Sequence, residues 1–330
     1  MFNDERFGAL KERFEQVQQR YSDMAEEKKN AATRTVICKG KLYNVLPFES
    51  ERNGDKLKGK ILTEPIAHND CHIYHLDGQD RVILIEDISP FSSKPGYFIC
   101  SYTLYNYNDE YIERIAGSNS TLNRVEWAYL KSGTVNEILC WAKHGCIVNL
   151  FDYDDYVLTG IRHFQKPHNG NPESKFDLSF HYDKGNLTLI QRAWVNGRKE
   201  TIYSTATINF KTLGQRLHTD IEQAITDFLQ GHADEQFTRF ALDSYMGHGY
   251  VSLCFDTRTD DKYWDSPADW AYCDFKSLPL VEFPIDDSQT EKLRKTLLQL
   301  AGELSNSEVF KNPIWILLFD HNEDIYDSKK

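Results

Sequence analysis

The apolar positions of this chain change their period twice. Near the amino end Phe7, Leu10, Phe14, Val17 and Tyr21 recur every three or four residues, which predicts a helix from residue 4 to about 30, with Asp4-Glu5 favouring its start. From Thr33 the period drops to two. Thr35-Val-Ile-Cys-Lys-Gly-Lys-Leu-Tyr43 reads as a strand and turn, and Asp80-Arg-Val-Ile-Leu-Ile-Glu86 as a strongly apolar strand. Phe176-Asp-Leu-Ser-Phe-His-Tyr182 alternates cleanly, Asp183-Lys-Gly185 and Asn196-Gly197 supply turns, and Pro167 to Pro172 is the most loop-like stretch.

Beyond about Phe210 helical spacing returns, now interleaved with short apolar runs. Ile221, Ala224, Ile225, Phe228 and Leu229 share one face of a helix from Thr219 to Leu229, with Gly231 as its stop. Phe237 to Asp243 and Tyr250 to Phe255 read as strands. Ser266-Pro267 predicts a helix running through Trp270 to Phe275, and Asp287-Ser288 opens another along Leu293, Leu297, Leu300 and Ala301. Ile314 to Phe319 is expected as an interior strand of the second sheet. The expected fold is therefore α+β: a long antiparallel β-meander with an N-terminal helix, followed by a smaller α/β domain. The expected divisions are 1–32, 33–210 and 211–330.

A phrase recurs within the meander. Tyr107-Asn-Asp-Glu-Tyr-Ile-Glu-Arg-Ile115, Tyr153-Asp-Asp-Tyr-Val-Leu-Thr-Gly-Ile161 and Tyr182-Asp-Lys-Gly-Asn-Leu-Thr-Leu-Ile190 each join an aromatic strand end, a polar turn and a strand ending in isoleucine. Tyr129 to Ile138 is a looser copy. The starting tyrosines are spaced as successive hairpins require. The repeat argues for a scaffold and by itself exposes no chemistry.

Composition narrows the partners. Of 330 residues 50 are acidic and 38 basic, a formal charge of -12, which repels a phosphate backbone unless a basic patch offsets it. Arg192, Arg198 and Lys199 come nearest to such a patch, but Glu200 follows at once, so nucleic acid is not an expected partner. The seven cysteines are odd in number and form no CxxC, which fits buried thiols in a reduced compartment. Met-Phe-Asn-Asp-Glu-Arg lacks the pattern of a secretory signal, and Pro313 to Phe319 is too short to span a bilayer. The expected location is the cytoplasm, with no membrane partner.

In the second region Phe240-Ala-Leu-Asp-Ser-Tyr245, Gly249-Tyr-Val-Ser-Leu-Cys-Phe-Asp-Thr-Arg-Thr259 and Ser266-Pro-Ala-Asp-Trp270 follow a helix. Over about residues 215 to 320 this arrangement resembles a bacterial domain family of unknown function that is often placed with SUKH-like immunity proteins of toxin systems. The resemblance implies binding of a protein partner. It brings no catalytic or ligand residues.

Chemical constellations are few. On a helix His68, His72 and His75 would share one face and with Cys71 could satisfy zinc, yet His72-Ile-Tyr-His75 alternates as a strand and sends its two histidines to opposite faces. Asp256, Asp260, Asp261, Asp265 and Asp269 form the densest carboxylate group. Counted from Asp256, the sixth position is Asp261 where a calcium loop needs glycine, and the twelfth is Pro267 where it needs glutamate. G-x-S-x-G, HExxH and P-loop patterns are absent. The expectation is a non-enzymatic protein-binding protein, an immunity protein that neutralises a bacterial toxin, with no cofactor and no metal. Its partner would be a basic toxin domain, met by Asp256, Asp260, Asp261 and Asp265 and by Tyr107, Tyr153, Asp154 and Asp155. The alternatives are a metal-dependent hydrolase or nuclease using the five aspartates, and a structural or adaptor subunit.

Overall fold

The computed structural model describes residues 2–63, 71–90, 98–118, 120–246, 249–259, 264–281, 283, 285, 287–310, 312–320 and 323–328. The chain divides into two compact units, residues 1–203 and 204–330. The change thus falls seven residues before the boundary at 210 suggested by composition.

The first unit is built on one antiparallel sheet. Its strands are β1 (Arg34–Lys39), β2 (Lys60–Leu62), β3 (Cys71–Leu76), β4 (Val82–Pro90), β5 (Phe98–Tyr107), β6 (Tyr111–Ser118), β7 (Thr121–Lys131), β8 (Thr134–Ala142), β9 (Gly145–Asp154), β10 (Val157–Pro167), β11 (Ser174–Asp183), β12 (Asn186–Trp194) and β13 (Lys199–Ser204). From β3 to β13 each strand lies beside the next in sequence, and β1 and β2 complete the far edge in the order β3-β1-β2. The meander follows from turn chemistry. Asp155 and Tyr156 between β9 and β10, and Lys184 and Gly185 between β11 and β12, hold the paired positive φ angles whose twist matches a two-residue hairpin.

The expected single amino-terminal helix is two, α1 (Arg6–Gln18) and α2 (Tyr21–Ala31). Phe7, Leu10, Phe14, Val17 and Tyr21 are all buried, packed with Leu84, Leu104, Ile115, Val125, Leu139 and Val148 on one face of the sheet. The Tyr21 hydroxyl donates to the Tyr102 carbonyl at 2.6 Å. Burial holds this phenol well above its usual range. Gly117 lies beneath it, where a Cβ would collide with the Thr121 carbonyl and come within 2.9 Å of the Tyr21 ring. Only glycine leaves room for the contact. Arg13 caps the buried Glu113 through two hydrogen bonds of 2.8 and 3.0 Å.

The opposite face is covered in its middle by residues 40–59, an irregular strap with a short 3-10 turn at Glu51–Asn53. Leu46 and Phe48 of the strap pack over Ile138, Phe151, Ile161, Leu178, Phe180 and Ile190. Asn44 braces the strap internally. Its side-chain oxygen accepts from the Ser50 amide at 2.9 Å and its amide nitrogen donates to Glu51 at 2.7 Å.

The second unit is a mixed sheet covered by two helices. Its strands are β14 (Arg239–Tyr245), β15 (Tyr250–Asp256), β16 (Tyr272–Pro279), β17 (Trp315–Asp320) and β18 (Glu323–Asp327), in the order β16-β15-β14-β17-β18. The β14–β17 pair is parallel, and β17 lies inside the sheet as the apolar run from Ile314 predicted. The helices α3 (Phe210–Gly231) and α4 (Asp287–Leu304) bury Leu213, Leu217, Ile221, Ile225, Leu293 and Leu297 against one face.

Two local expectations are corrected. The helix predicted from Thr219 begins at Phe210, because Asn209 accepts a hydrogen bond from the Thr212 amide and the stripe extends back through Leu217 and Leu213. The helix predicted from Ser266 to Phe275 is only a 3-10 turn, Pro267–Asp269, followed by β16. Tyr272 and Phe275 are drawn into that strand by ring contacts with Phe228 at 5.1 and 4.3 Å. Packing two half-buried rings against Phe228 outweighs a local helix-start signal.

Candidate anion-binding site

Strand register assembles a polar row on the strap-covered face. Arg114 of β6 pairs with Glu126 of β7, and Glu126 with Cys140 of β8. Alongside runs a second line, in which Asn149 of β9 faces His163 of β10, His163 faces Phe176 of β11, and Phe176 faces Trp194 of β12. Cross-strand neighbours share a face, so antiparallel pairing alone brings residues up to 80 positions apart into one cluster.

The cluster encloses a cavity of about 180 Å³, lined among others by Glu49, Arg52, Arg114, Glu126, His163 and Arg192. A second depression of about 490 Å³ on the same unit shares Arg114 and Arg124 with it. Arg114 is held between two carboxylates, Glu49 of the strap at 2.9 Å and Glu126 at 2.8 Å. Arg124 reaches the other oxygen of Glu126 at 3.3 Å. The Tyr105 hydroxyl lies 3.3 Å from Glu49.

The electrostatics are lopsided toward positive charge. Burial works to raise the Glu126 carboxyl, but Arg114 and Arg124 outweigh it and hold the group down at about 2, so it stays ionised. Arg52 has no comparable compensation. Its Nε donates to the Phe48 carbonyl at 3.4 Å and its guanidinium lies 5.6 Å from the Phe151 ring centre, but it makes no ion pair among the described residues. Burial pushes its pKa down, with Glu49 and Glu126 opposing too weakly to reverse the shift. Arg192 stacks over Phe176 at 4.6 Å and meets Glu200 at 3.4 Å. The Nε atoms of Arg114 and Arg192 are buried and find no acceptor.

His163 completes the wall. Its ring stacks on Phe176 at 4.1 Å, and Nδ1 lies 2.7 Å from the Asn149 side-chain oxygen. Burial, with repulsion from Arg192 and Arg52, lowers its pKa to about 4, which leaves it neutral near pH 7. The Cys140 thiol is pushed far up by burial and by Glu126. The site therefore offers fixed positive charge and hydrogen-bond donors.

The residues singled out from sequence lie elsewhere. Asp256 is fully buried, accepting from Arg239 at 3.3 Å and from Arg258 at 3.0 Å, so its carboxylate is committed inside the second unit and presents no docking surface. Asp265 and Asp269 are exposed, Asp269 accepting from the Ser266 hydroxyl at 2.7 Å, while Asp260 and Asp261 lie outside the described residues. Tyr107 and Tyr153 are half-buried, and their hydroxyls donate to the carbonyls of Val82 and Val135 at 2.8 Å each. Tyr182 does the same to Leu158 at 2.7 Å. The repeated tyrosine therefore ties the end of one strand to the start of the strand before it. Asp154 and Asp155 are exposed at the β9–β10 turn.

His72 pairs with Asp87, whereas His75 reaches Glu86 at 2.6 Å on the other face; His68 lies outside the described residues. Among the described residues no three His, Cys, Asp or Glu side chains gather as a metal-ligating group. The arginine cluster itself escaped the reading of the sequence. Its signal is the set of charges at inward strand positions, which alternation cannot separate from outward ones when both faces are covered. Among the described residues no helix is long and apolar enough to cross a membrane. No family model, no curated protein sequence and no solved structure matches the chain.

Proposed function

We propose that the protein is a non-enzymatic binding protein that seats an anionic group in the arginine-lined cavity of its large sheet. The observation that carries this reading is uncompensated positive charge. Arg52 is half-buried and makes no ion pair among the described residues, and two buried guanidinium nitrogens, Arg114 Nε and Arg192 Nε, find no acceptor. Leaving buried donors and charges unsatisfied costs a fold several kcal/mol, a cost that a bound anion removes. Millimolar sulfate or phosphate should raise the melting temperature, and anion at 100 times its Kd should add about 2.7 kcal/mol of stability. Sulfate also stabilises proteins generally, so the discriminating variant is Arg192→Gln, which should keep the fold and lose the anion-dependent increment. Equal increments in both proteins would defeat the proposal.

A second reading, an immunity protein that docks a basic toxin domain, is favoured by a different feature. In an alternating meander the turns after β5, β9 and β11 lie at one end of the sheet, and they expose Asp109, Glu110, Asp154, Asp155 and Asp183. Tyr156, 82% exposed, stands among them. An amphipathic ring amid acidic side chains suits recognition of a basic protein surface. Co-expression with a toxin domain encoded beside this chain should rescue growth, and Asp154→Lys with Asp155→Lys should slow the association. Absence of a complex with that domain would remove this reading.

A further inference from the structure

We infer that the ligand of the cavity is a tetrahedral oxyanion carrying two negative charges, the chemistry of a phosphate monoester, clasped between the strap and the sheet. This rests on the reading of the cavity as an anion site and names what fills it. The lining holds four guanidiniums, Arg52, Arg114, Arg124 and Arg192, against two carboxylates, Glu49 and Glu126. The excess is two positive charges. Glu200, at 40% side-chain exposure and 3.4 Å from Arg192, answers from the rim and is screened by solvent.

Shape points the same way. A cavity of about 180 Å³ admits a compact group with a short substituent. Its donors are contributed by the strap (Arg52) and by three strands (Arg114, Arg124 and Arg192), so they approach from several directions. A tetrahedral oxyanion can accept from several guanidiniums at once, where a planar carboxylate offers only two oxygens. The apolar wall of Phe176, stacked with His163, would lie against the ester substituent. Because Arg52 and Glu49 both sit on the strap, an occupied site ties residues 40–59 to the sheet.

The test uses the whole protein with methyl phosphate, sulfate and acetate as probes, followed by calorimetry and by hydrogen exchange of the strap amides. A phosphate monoester has a second pKa of about 6, so its dianion fraction climbs roughly tenfold between pH 5 and 7.5, and affinity should climb with it. On the protein side the guanidiniums keep their charge across this range. His163, at about 4, and Glu126, at about 2, have finished titrating below it. Tyr105 and Cys140 are both held far above it by burial. Glu49 and Glu200 also face the cluster, and sulfate, a dianion throughout, subtracts any contribution of theirs.

The expected result has four parts. Methyl phosphate binding strengthens roughly tenfold with pH. Sulfate binding stays nearly flat. Acetate binds on the order of 10- to 100-fold more weakly than sulfate. Exchange slows in the strap. Arg52→Gln should abolish dianion binding while leaving the ligand-free melting temperature unchanged or raised, since it removes a half-buried charge that makes no ion pair among the described residues; a residue with a purely structural role would lower it. Arg192→Gln provides the same readout should the first variant fold poorly. Acetate binding as tightly as sulfate through Arg52 and Arg192 would overturn the dianion and leave the anion site standing. No binding by any probe would overturn both.

Discussion

Replacing Glu126 by glutamine will destabilise the first unit by about 3–5 kcal/mol, the usual cost of removing one partner of a buried ion pair. Glu126 lies between Arg114 at 2.8 Å and Arg124 at 3.3 Å, and without it Arg114 depends on Glu49 alone. The effect has a definite pH signature. The folded-state pKa is about 2 against an ordinary 4.5, so the carboxylate's contribution is complete above about 4.5 and is lost as pH falls toward 2. A depression of that size corresponds to about 3 kcal/mol, consistent with the mutational figure. Urea unfolding of both proteins should show the full difference at pH 7 and a shrinking one between pH 4.5 and 2.5. A variant within about 1 kcal/mol of the native chain at pH 7 would mean that Glu126 does not hold the cluster together.

Asp256→Asn should be similarly severe in the second unit, at about 3–5 kcal/mol. Asp256 and Arg239 are both fully buried, 3.3 Å apart, and Arg258 adds a second contact at 3.0 Å. Arg239 also lies 5.2 Å from the centre of the Trp315 ring, so its guanidinium is packed as well as paired. The neutral amide keeps the shape and removes the negative charge that Arg239 and Arg258 both contact. The double variant Asp256→Leu with Arg239→Met should recover most of the loss, because apolar pairs of similar volume commonly replace buried ion pairs without penalty. A double-mutant cycle on thermal unfolding measures this directly. Additive losses would show the two residues to be energetically independent.

The α+β architecture was readable because each layer announces itself locally. The stripe Phe7, Leu10, Phe14, Val17, Tyr21 is a helix period, and all five side chains are buried on the sheet. The recurring tyrosine phrase marks hairpins, and the turns at 155–156 and 184–185 hold the positive φ angles that two-residue hairpins demand. The errors arose where distant contacts overrule a local signal. Ser266-Pro267 looks like a helix start, but Phe228 on α3 draws Tyr272 and Phe275 into a strand. Gly214 and the polar residues around it hide the first turns of α3, whose reality depends on Leu213 and Leu217 finding a sheet to cover.

The candidate site lies at the other extreme. Arg52, Arg114, Arg124, His163 and Arg192 are far apart in sequence, carry no motif, and occupy positions that alternation alone cannot assign to inside or outside. Period and turn chemistry are short-range properties, so the residues themselves determined the two layers and the meander, whereas the tying of strands by its tyrosine hydroxyls depends on register. Register between strands, and the strap laid across one face, are long-range properties. They decided that Arg114 meets both Glu49 and Glu126, that Arg52 is half-buried without an ion pair among the described residues, and that Asp256 is sealed against Arg239. Charge is a surface property until burial removes the water that screens it, and burial is settled only when the whole sheet has formed.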